Sequence, residues 1–287
     1  MSRRTALAVA PAAVAATAVA LAALRVAPLT AELCILCLLV GGGLFARLPR
    51  LRTAAPAALA WSLWLAAVVA LDDMRALQRV GPRPHEGDVA ALESSLPGGL
   101  AVVHLQQLWG SGGLRWYDLL LAVIYLMHSP APLLAGAGLW RWRRDLFAPF
   151  VASMLICGAI GLAVYLVFPE APPWLAAEHG VIPPVRRISS EVIAHVGPLN
   201  AVYGGADPLP NAAMPSLHVA YPLIVAWWTI AAAGRRALPL LLYPLVLAVG
   251  VVYLGEHWAV DSLAGVICAG VAITAVEAVR RRRSAPG

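Results

Sequence analysis

Long apolar runs separated by short polar segments make up most of this sequence. Eight of these runs reach the ~17–25 residues that a helix needs to cross a bilayer, and they cover 6–24, 30–46, 54–71, 118–139, 147–168, 212–233, 237–254 and 258–279. Alanine and glycine are abundant in them, which suits close packing of helices in lipid. The pattern predicts an all-α integral membrane protein with about eight transmembrane helices.

The first run has a second interpretation. With Arg3 and Arg4 before it, the stretch 6–24 has the form of a signal peptide. Because a second apolar run begins at residue 30, we favour a retained span.

Composition supports the membrane class. Hydrophobic residues make up 61% of the 287 positions and charged residues 13%, whereas soluble domains average roughly half and a quarter. The four cysteines lie in apolar runs, and although Cys34 and Cys37 have CxxC spacing, no second pair accompanies them. We interpret them as small apolar side chains in helices and not as metal ligands.

The charged residues predict an orientation. All 21 basic residues are arginines, and the net charge is +6. With the N-terminus inside, the inner segments hold 14 arginines against two acids, and the outer segments hold 7 arginines against 13 acids. This asymmetry follows the positive-inside rule, so the basic excess indicates topology and not nucleic-acid binding. Both termini are expected on the cytoplasmic side of a bacterial-type plasma membrane, where the arginine run 280–283 would also meet anionic lipid.

Polar residues with chemical potential gather at the predicted outer face. Two long outer segments, 72–117 and 169–211, carry polar and aromatic residues of the kind that often serves function. The run after the second segment begins with MPSLH, which contains Ser216 and His218. The last run begins at His257, and Asp261 follows four residues later on the same helical face.

These residues predict a site that handles phosphate. An aspartate one turn from a histidine can hold one ring nitrogen and leave the other free as a nucleophile or base. Helix N-termini attract phosphate. An acid inside a membrane span is energetically costly, and such acids are commonly functional. Zinc bound by His218, His257 and Asp261 is the alternative, which we rank lower because no fuller metal-binding motif is present. Each side chain alone could also be a structural polar group at a helix end.

The two clusters resemble signature blocks of the type 2 phosphatidic acid phosphatase superfamily. The second block is Pro-Ser-Gly-His, and the third ends in His, three residues, Asp. The matching positions are Pro215, Ser216, His218, His257 and Asp261. Leu217 stands in the place of the family Gly, while Gly250 and Val251 replace a family Ser-Arg pair. The first block, Lys, six residues, Arg-Pro, is absent.

Within this family the chain is most similar to the branch that contains fungal inositol phosphorylceramide synthase and bacterial relatives. It shares MPSLH, the stretch 118–140 and a proline-rich element, FPEAPPW, matched at Phe168, Pro169, Ala171, Pro172, Pro173 and Trp174. The resemblance covers about residues 54–279. It implies a six-helix catalytic membrane core in 54–283, which includes the outer segments 72–117 and 169–211 and follows the two N-terminal transmembrane helices that the apolar runs predict in 1–53.

The resemblance also implies roles. His257 would be the nucleophile that forms a phosphohistidine, Asp261 would orient it, His218 would be the general acid and base, and Ser216 would hold the phosphoryl group. Our candidates for the missing cations are Arg186 and Arg187, which could equally be a solvated loop pair; Arg75 and Arg79 are weaker candidates. We interpret Tyr125 and His128, inside a span, as structural.

The predicted function is lipid phosphotransfer at the outer membrane face. The substrate would be a membrane lipid, with a lipid or sugar alcohol as possible acceptor; transfer to water would instead make the protein a lipid phosphate or polyprenyl pyrophosphate phosphatase. No cofactor is implied, so activity is expected to survive a chelator. Because two family blocks are incomplete, a catalytically silent membrane scaffold is the remaining alternative.

Overall fold

The computed structural model describes residues 84–110, 112–197, 199–200 and 211–284. Three of the predicted spans, 6–24, 30–46 and 54–71, lie outside these residues, as do Arg75 and Arg79. The number of eight spans therefore stays a prediction.

The described part of the chain consists of helices joined by turns and loops. In chain order the helices are α1 Glu86–Ser95, α2 Ala101–Trp109, α3 Trp116–Leu126, α4 Pro130–Trp142, α5 Arg144–Val167, α6 Pro173–Glu178, α7 Ile188–His195, α8 Leu217–Ala233, a 3-10 helix Gly234–Leu241, α9 Leu242–Tyr253 and α10 Ala259–Ser284. Extended pairing in this part of the chain is limited to an isolated parallel bridge between Glu170 and Ala212. The described part thus has the predicted all-α class.

Three helical stretches are long and apolar enough to cross a membrane. They are Arg144–Val167, Leu217–Tyr253 and Ala259–Arg282, and they indicate an integral membrane protein. The pair α3 and α4 together passes the same test as a bent fourth stretch.

The middle stretch turns back on itself. A straight helix rises about 1.5 Å per residue and would separate the ends of a 37-residue stretch by roughly 55 Å. Instead, His218 at the start of α8 is hydrogen-bonded to His257, which follows α9. The 3-10 helix therefore reverses the chain, as expected for two separate predicted spans. Each helix is shorter than its run, since 212–216 is not helical and 237–241 is 3-10.

The predicted span 118–139 is broken in the middle. Helices α3 and α4 meet at an angle of 51°, with His128 and Ser129 between them. Pro130 at the first position of α4 explains the break, because proline cannot donate an amide hydrogen bond and its ring clashes with the carbonyl four residues earlier, at Leu126, where α3 ends.

The main core lies between α5, α8 and α10. Phe150, Ile224, Trp228 and Ala272 are buried there. Trp228 satisfies its buried indole N–H by donating to Ser153 Oγ at 3.0 Å, as burial of a polar group requires.

The bundle has two chemically different ends. At one end, Arg143 donates to the Ala232 carbonyl at 3.0 Å, and the guanidinium carbon of Arg280 lies 5.8 Å from the ring centroid of Trp228. At the other end, the loops after α5 and α9 meet the start of α8, where Trp258 Nε1 donates to the Ala171 carbonyl at 2.9 Å. The described arginines that are predicted on the cytoplasmic side therefore lie at the end of the bundle away from His218 and His257.

Candidate active site

His257, Asp261 and His218 form a chain of hydrogen bonds where α8, α9 and α10 meet. His257 Nδ1 is 3.3 Å from Asp261 Oδ2, and His257 Nε2 is 2.9 Å from His218 Nδ1. His257 and Asp261 are buried, with exposures of 3% and 0%. The structure thus brings together the three residues that the sequence assigns to catalysis.

The partners of His257 determine where its proton lies. An ionised carboxylate only accepts hydrogen bonds, so His257 Nδ1 carries the proton that points to Asp261. The lone pair of His257 is then on Nε2 and accepts a hydrogen bond from His218 Nδ1. This is the state required of a nucleophile, with a proton donor already beside it.

Asp261 is held by the backbone around it. Its Oδ2 accepts a hydrogen bond from the Trp258 amide at 2.9 Å, and its main-chain carbonyl accepts one from the Ser216 amide at 3.0 Å. The second bond ties the start of α8 to the first turn of α10. One element therefore sets the position of the other, and with it the separation of the two histidines.

Ser216 is the N-cap residue of α8, and its hydroxyl has no partner. The side chain has 0% exposure, and Oγ makes no hydrogen bond. Among the described residues, the amides of Leu217 and His218 also lack an acceptor, as expected in the first turn of a helix. The start of α8 therefore presents three donors beside His218, which is the chemistry that binds an anion.

The start of α10 is already occupied. Glu93 of α1 is buried, and its Oε2 accepts hydrogen bonds from the amides of Ala259 at 2.8 Å and Val260 at 3.4 Å, while Oε1 accepts from Ala101 at 3.0 Å. Burial raises the pKa of Glu93, and these amide bonds act against that shift. Of the two predicted phosphate-binding helix ends, only that of α8 has donors without an acceptor among the described residues.

The two candidate cations lie beside the site and are paired with acids. Arg186 binds Glu191. Arg187 binds Glu256 with Nε at 2.9 Å from Oε1, and its guanidinium lies 4.3 Å from the ring centroid of Trp174. Since Glu256 directly precedes His257, the Arg187 pair adjoins His257, whereas Arg186 is paired with Glu191 of α7.

Tyr125 and His128 line the other side of His218. The ring centroid of His218 is 4.6 Å from that of Tyr125 and 4.1 Å from that of His128. His128 makes its hydrogen bonds locally, to the Tyr125 carbonyl at 2.7 Å and Ser129 Oγ at 3.0 Å. The break between α3 and α4 therefore brings two further residues to the site, which our interpretation of a purely structural interhelical bond did not foresee.

Three contributors to the site escaped the sequence interpretation. Glu93 caps α10, Glu256 holds Arg187, and Gln106 of α2 donates to the carbonyls of Arg186 and Tyr253, both at 2.8 Å. The one available signal was an acid within a mainly apolar stretch, as at Glu93 in DVAALESS. Their partners are distant in sequence, so the pattern could not assign them roles.

The described residues do not form a metal-binding group. No three histidine, cysteine or acidic side chains among them are placed to hold an ion. In the arrangement considered for zinc, His218 and His257 bind each other through the nitrogens that would face such an ion.

Gly265 controls how closely α10 approaches Ser216. A Cβ atom at this position would overlap the Ser216 carbonyl oxygen. We expect Gly265→Ala to separate the helices, lower stability by about 1–3 kcal/mol and reduce activity at least several-fold. Thermal unfolding and activity of the purified protein measure both effects.

Gly270 provides the matched control on the same helix. A Cβ atom there has no heavy atom within 4 Å, and alanine favours a helix over glycine by roughly 1 kcal/mol. Gly270→Ala should leave the melting temperature unchanged or raise it. Equal losses in both variants would contradict the close approach at Gly265.

Comparison with known proteins places this arrangement. A family model described as the PAP2 superfamily matches residues 88–275. A relative named phosphoinositol dihydroceramide synthase, from Bacteroides thetaiotaomicron, is 28% identical over 165 residues, which cover 53% of this chain and 53% of the relative. The chain thus matches about half the length of that protein. No solved structure matches the chain.

The matched residues include His218, His257, Asp261 and Ser216. They also include all or most of each described helix that contributes to the site. The match covers well over half of the chain, and it agrees with the family expected from the MPSLH and HWAVD clusters. The chain belongs to the PAP2 superfamily.

Proposed function

We propose that this protein is a lipid phosphotransferase that works through a phosphohistidine at His257. The observation that carries the proposal is the buried pair in which Asp261 holds Nδ1 of His257, while the unprotonated Nε2 accepts a hydrogen bond from His218 that must open when Nε2 attacks phosphorus. A scaffold would not need a nucleophile, an orienting acid and a proton donor in sequence. Membership of a family of phosphotransfer enzymes points the same way.

The geometry supports a two-step reaction. In the first step, the lone pair of His257 Nε2 forms a bond to phosphorus, and the bond from phosphorus to the leaving oxygen breaks. A doubly protonated His218 gives that oxygen a proton, while Asp261 balances the positive charge on the His257 ring. In the second step, neutral His218 takes the proton of the acceptor hydroxyl, whose oxygen attacks phosphorus and releases His257.

The open end of α8 is the proposed phosphate-binding surface. Ser216 Oγ and the amides of Leu217 and His218 can donate to the non-bridging oxygens, where charge is concentrated during transfer. Arg187 adds positive charge nearby, moderated by Glu256. Because the group travels on a ring nitrogen, this route needs no cofactor.

The relative suggests the substrates. We propose an inositol-phosphate donor such as phosphatidylinositol and a lipid hydroxyl acceptor related to dihydroceramide, following the printed name of that relative. The group carried by His257 would then be phosphoinositol, and diacylglycerol would leave first.

The test is transfer of labelled inositol by purified protein. With phosphatidylinositol and dihydroceramide, mass spectrometry should detect phosphoinositol dihydroceramide and diacylglycerol in equal amounts. His195, which is exposed on α7, supplies a control variant, His195→Ala, that should behave as wild type. Release of free inositol phosphate with equal rates in the presence and absence of the acceptor would identify a hydrolase, with water as the acceptor, instead. No product from any lipid or pyrophosphate donor would favour a scaffold.

We also propose that the site lies at the outer membrane face, with the arginine-rich end of the bundle inside. In intact cells, a membrane-impermeant maleimide should label Glu178→Cys, at the exposed last residue of α6, and should not label Arg235→Cys, at an exposed residue of the 3-10 helix. Wild-type protein reports any background from native thiols. The reverse labelling pattern would contradict this orientation.

A further inference from the structure

Glu170 is a buried acid beside the catalytic aspartate. It has 0% exposure, and neither of its carboxyl oxygens has a hydrogen-bond partner. Its backbone is fixed on both sides, since its amide donates to the Asn211 carbonyl at 3.1 Å and its carbonyl accepts from the Ala213 amide at 3.2 Å. These bonds tie the backbone of Glu170 to the segment that leads into Ser216.

Asp261 has an oxygen left over on the same side. Its Oδ2 is used by His257 and Trp258, but the buried Oδ1 has no partner. The charged groups that face Glu170 are both acids, Asp261 first and Glu93 more weakly. Among the described residues, no arginine or histidine forms an ion pair with Glu170.

Two buried carboxylates without a cation cannot both carry charge. Removing ions from water is expensive, and like charges add repulsion, so one member of such a pair keeps a proton. Burial, followed by the charge of Asp261, raises the pKa of Glu170 to about 11. The shared proton belongs to Glu170, because Oδ2 of Asp261 accepts two hydrogen bonds and the oxygens of Glu170 accept none.

We propose that Glu170 is a protonated positioning residue whose carboxylic O–H donates to Asp261 Oδ1. This hydrogen bond would satisfy two of the three unpartnered oxygens of the Glu170 and Asp261 carboxyl groups at once. It would also fix the rotation of the Asp261 carboxylate so that Oδ2 stays directed at His257. The resemblance that identified the other site residues matched every neighbour of Glu170 in FPEAPPW, but it assigned no role to this position.

The protonated state can be observed without turnover. Infrared spectra of the purified protein at about pH 8, where an ordinary glutamate is ionised, should contain the carbonyl band of a buried carboxylic acid. Glu170→Gln should remove this band. Glu178→Gln, which changes an exposed glutamate eight residues later, should retain it.

Stability against pH gives a second readout. A native state that holds one proton more than the unfolded state loses stability as pH rises, by about tenfold in the unfolding equilibrium constant per pH unit. Between about pH 6 and pH 9, wild type should therefore lose stability relative to Glu170→Gln by this amount per unit. Parallel curves would overturn the proposal, as would an acid band that survives in Glu170→Gln.

The kinetic consequence rests on the proposed function. Glu170→Leu should lower kcat by about tenfold or more, because it leaves Asp261 Oδ1 without a donor, and Glu170→Gln should recover most of the loss through its amide N–H. A loss in Glu170→Gln as large as in Glu170→Leu would overturn the positioning role. If no substrate is turned over by wild type, the proposed function fails, whereas the infrared and stability tests still decide the state of Glu170.

Discussion

Changing His257 to alanine is expected to abolish transfer of the head group, with a loss of about 10⁴-fold or more in kcat. The reason is that the variant lacks the atom to which phosphorus would bond, while the neighbouring His218 is the proposed proton donor and acceptor and not a nucleophile. Incubation with donor carrying ³²P should label wild type with an acid-labile group and should leave His257→Ala unlabelled.

The same experiment includes its own check on folding. His257→Ala should keep the melting temperature within a few degrees of that of wild type, because His257 is not part of the main hydrophobic core that contains Phe150, Ile224 and Trp228. Labelling that persists in a folded His257→Ala protein would show that another residue accepts the phosphoryl group, and the proposed mechanism would be wrong.

Changing His218 to alanine should slow the lipid reaction by about 10²–10⁴-fold, the usual contribution of a general acid and base. The effect should depend on the leaving group. An aryl phosphodiester donor needs little protonation when it leaves, so the first step should remain fast in His218→Ala while the second step, which must activate the acceptor, should stall. The labelled intermediate should therefore accumulate in this variant.

Rapid-quench measurements with the aryl donor distinguish the two histidines. We expect a full burst of labelled protein in His218→Ala and none in His257→Ala. If His218→Ala is slowed equally with lipid and aryl donors, its role is to bind or position and not to transfer protons.

The central pair could be predicted from local spacing. His257 and Asp261 lie one helical turn apart, so a helix beginning near residue 258 places them on one face, and the structure has α10 beginning at Ala259. The meeting with His218 depends on two helices reversing at Gly234–Leu241, which the separate apolar runs already indicated. The resemblance added the roles, which remain proposals.

The supporting residues could not be found in this way. Glu93 meets Ala259 across 166 positions and Arg187 meets Glu256 across 69, and neither separation leaves a periodic signal. The break at Pro130 was visible as a proline in an apolar run, but its effect, which is to bring His128 against His218, depends on the packing of α8. The hydrophobic pattern indicates which faces of the helices are buried, but it does not indicate which polar groups contact each other.

The carboxylate of Glu93 has a consequence for how far the protein can be shortened. An external segment is normally the most replaceable part of a membrane protein, but here α1 supplies the cap for the helix that carries Asp261. A shortened protein that starts after α1 would leave the amides of Ala259 and Val260 at the start of α10 unpaired. The smallest working unit must therefore include α1 along with the spans. Because Glu93 binds backbone amides, the sequence of α10 can be exchanged between relatives while this cap is kept.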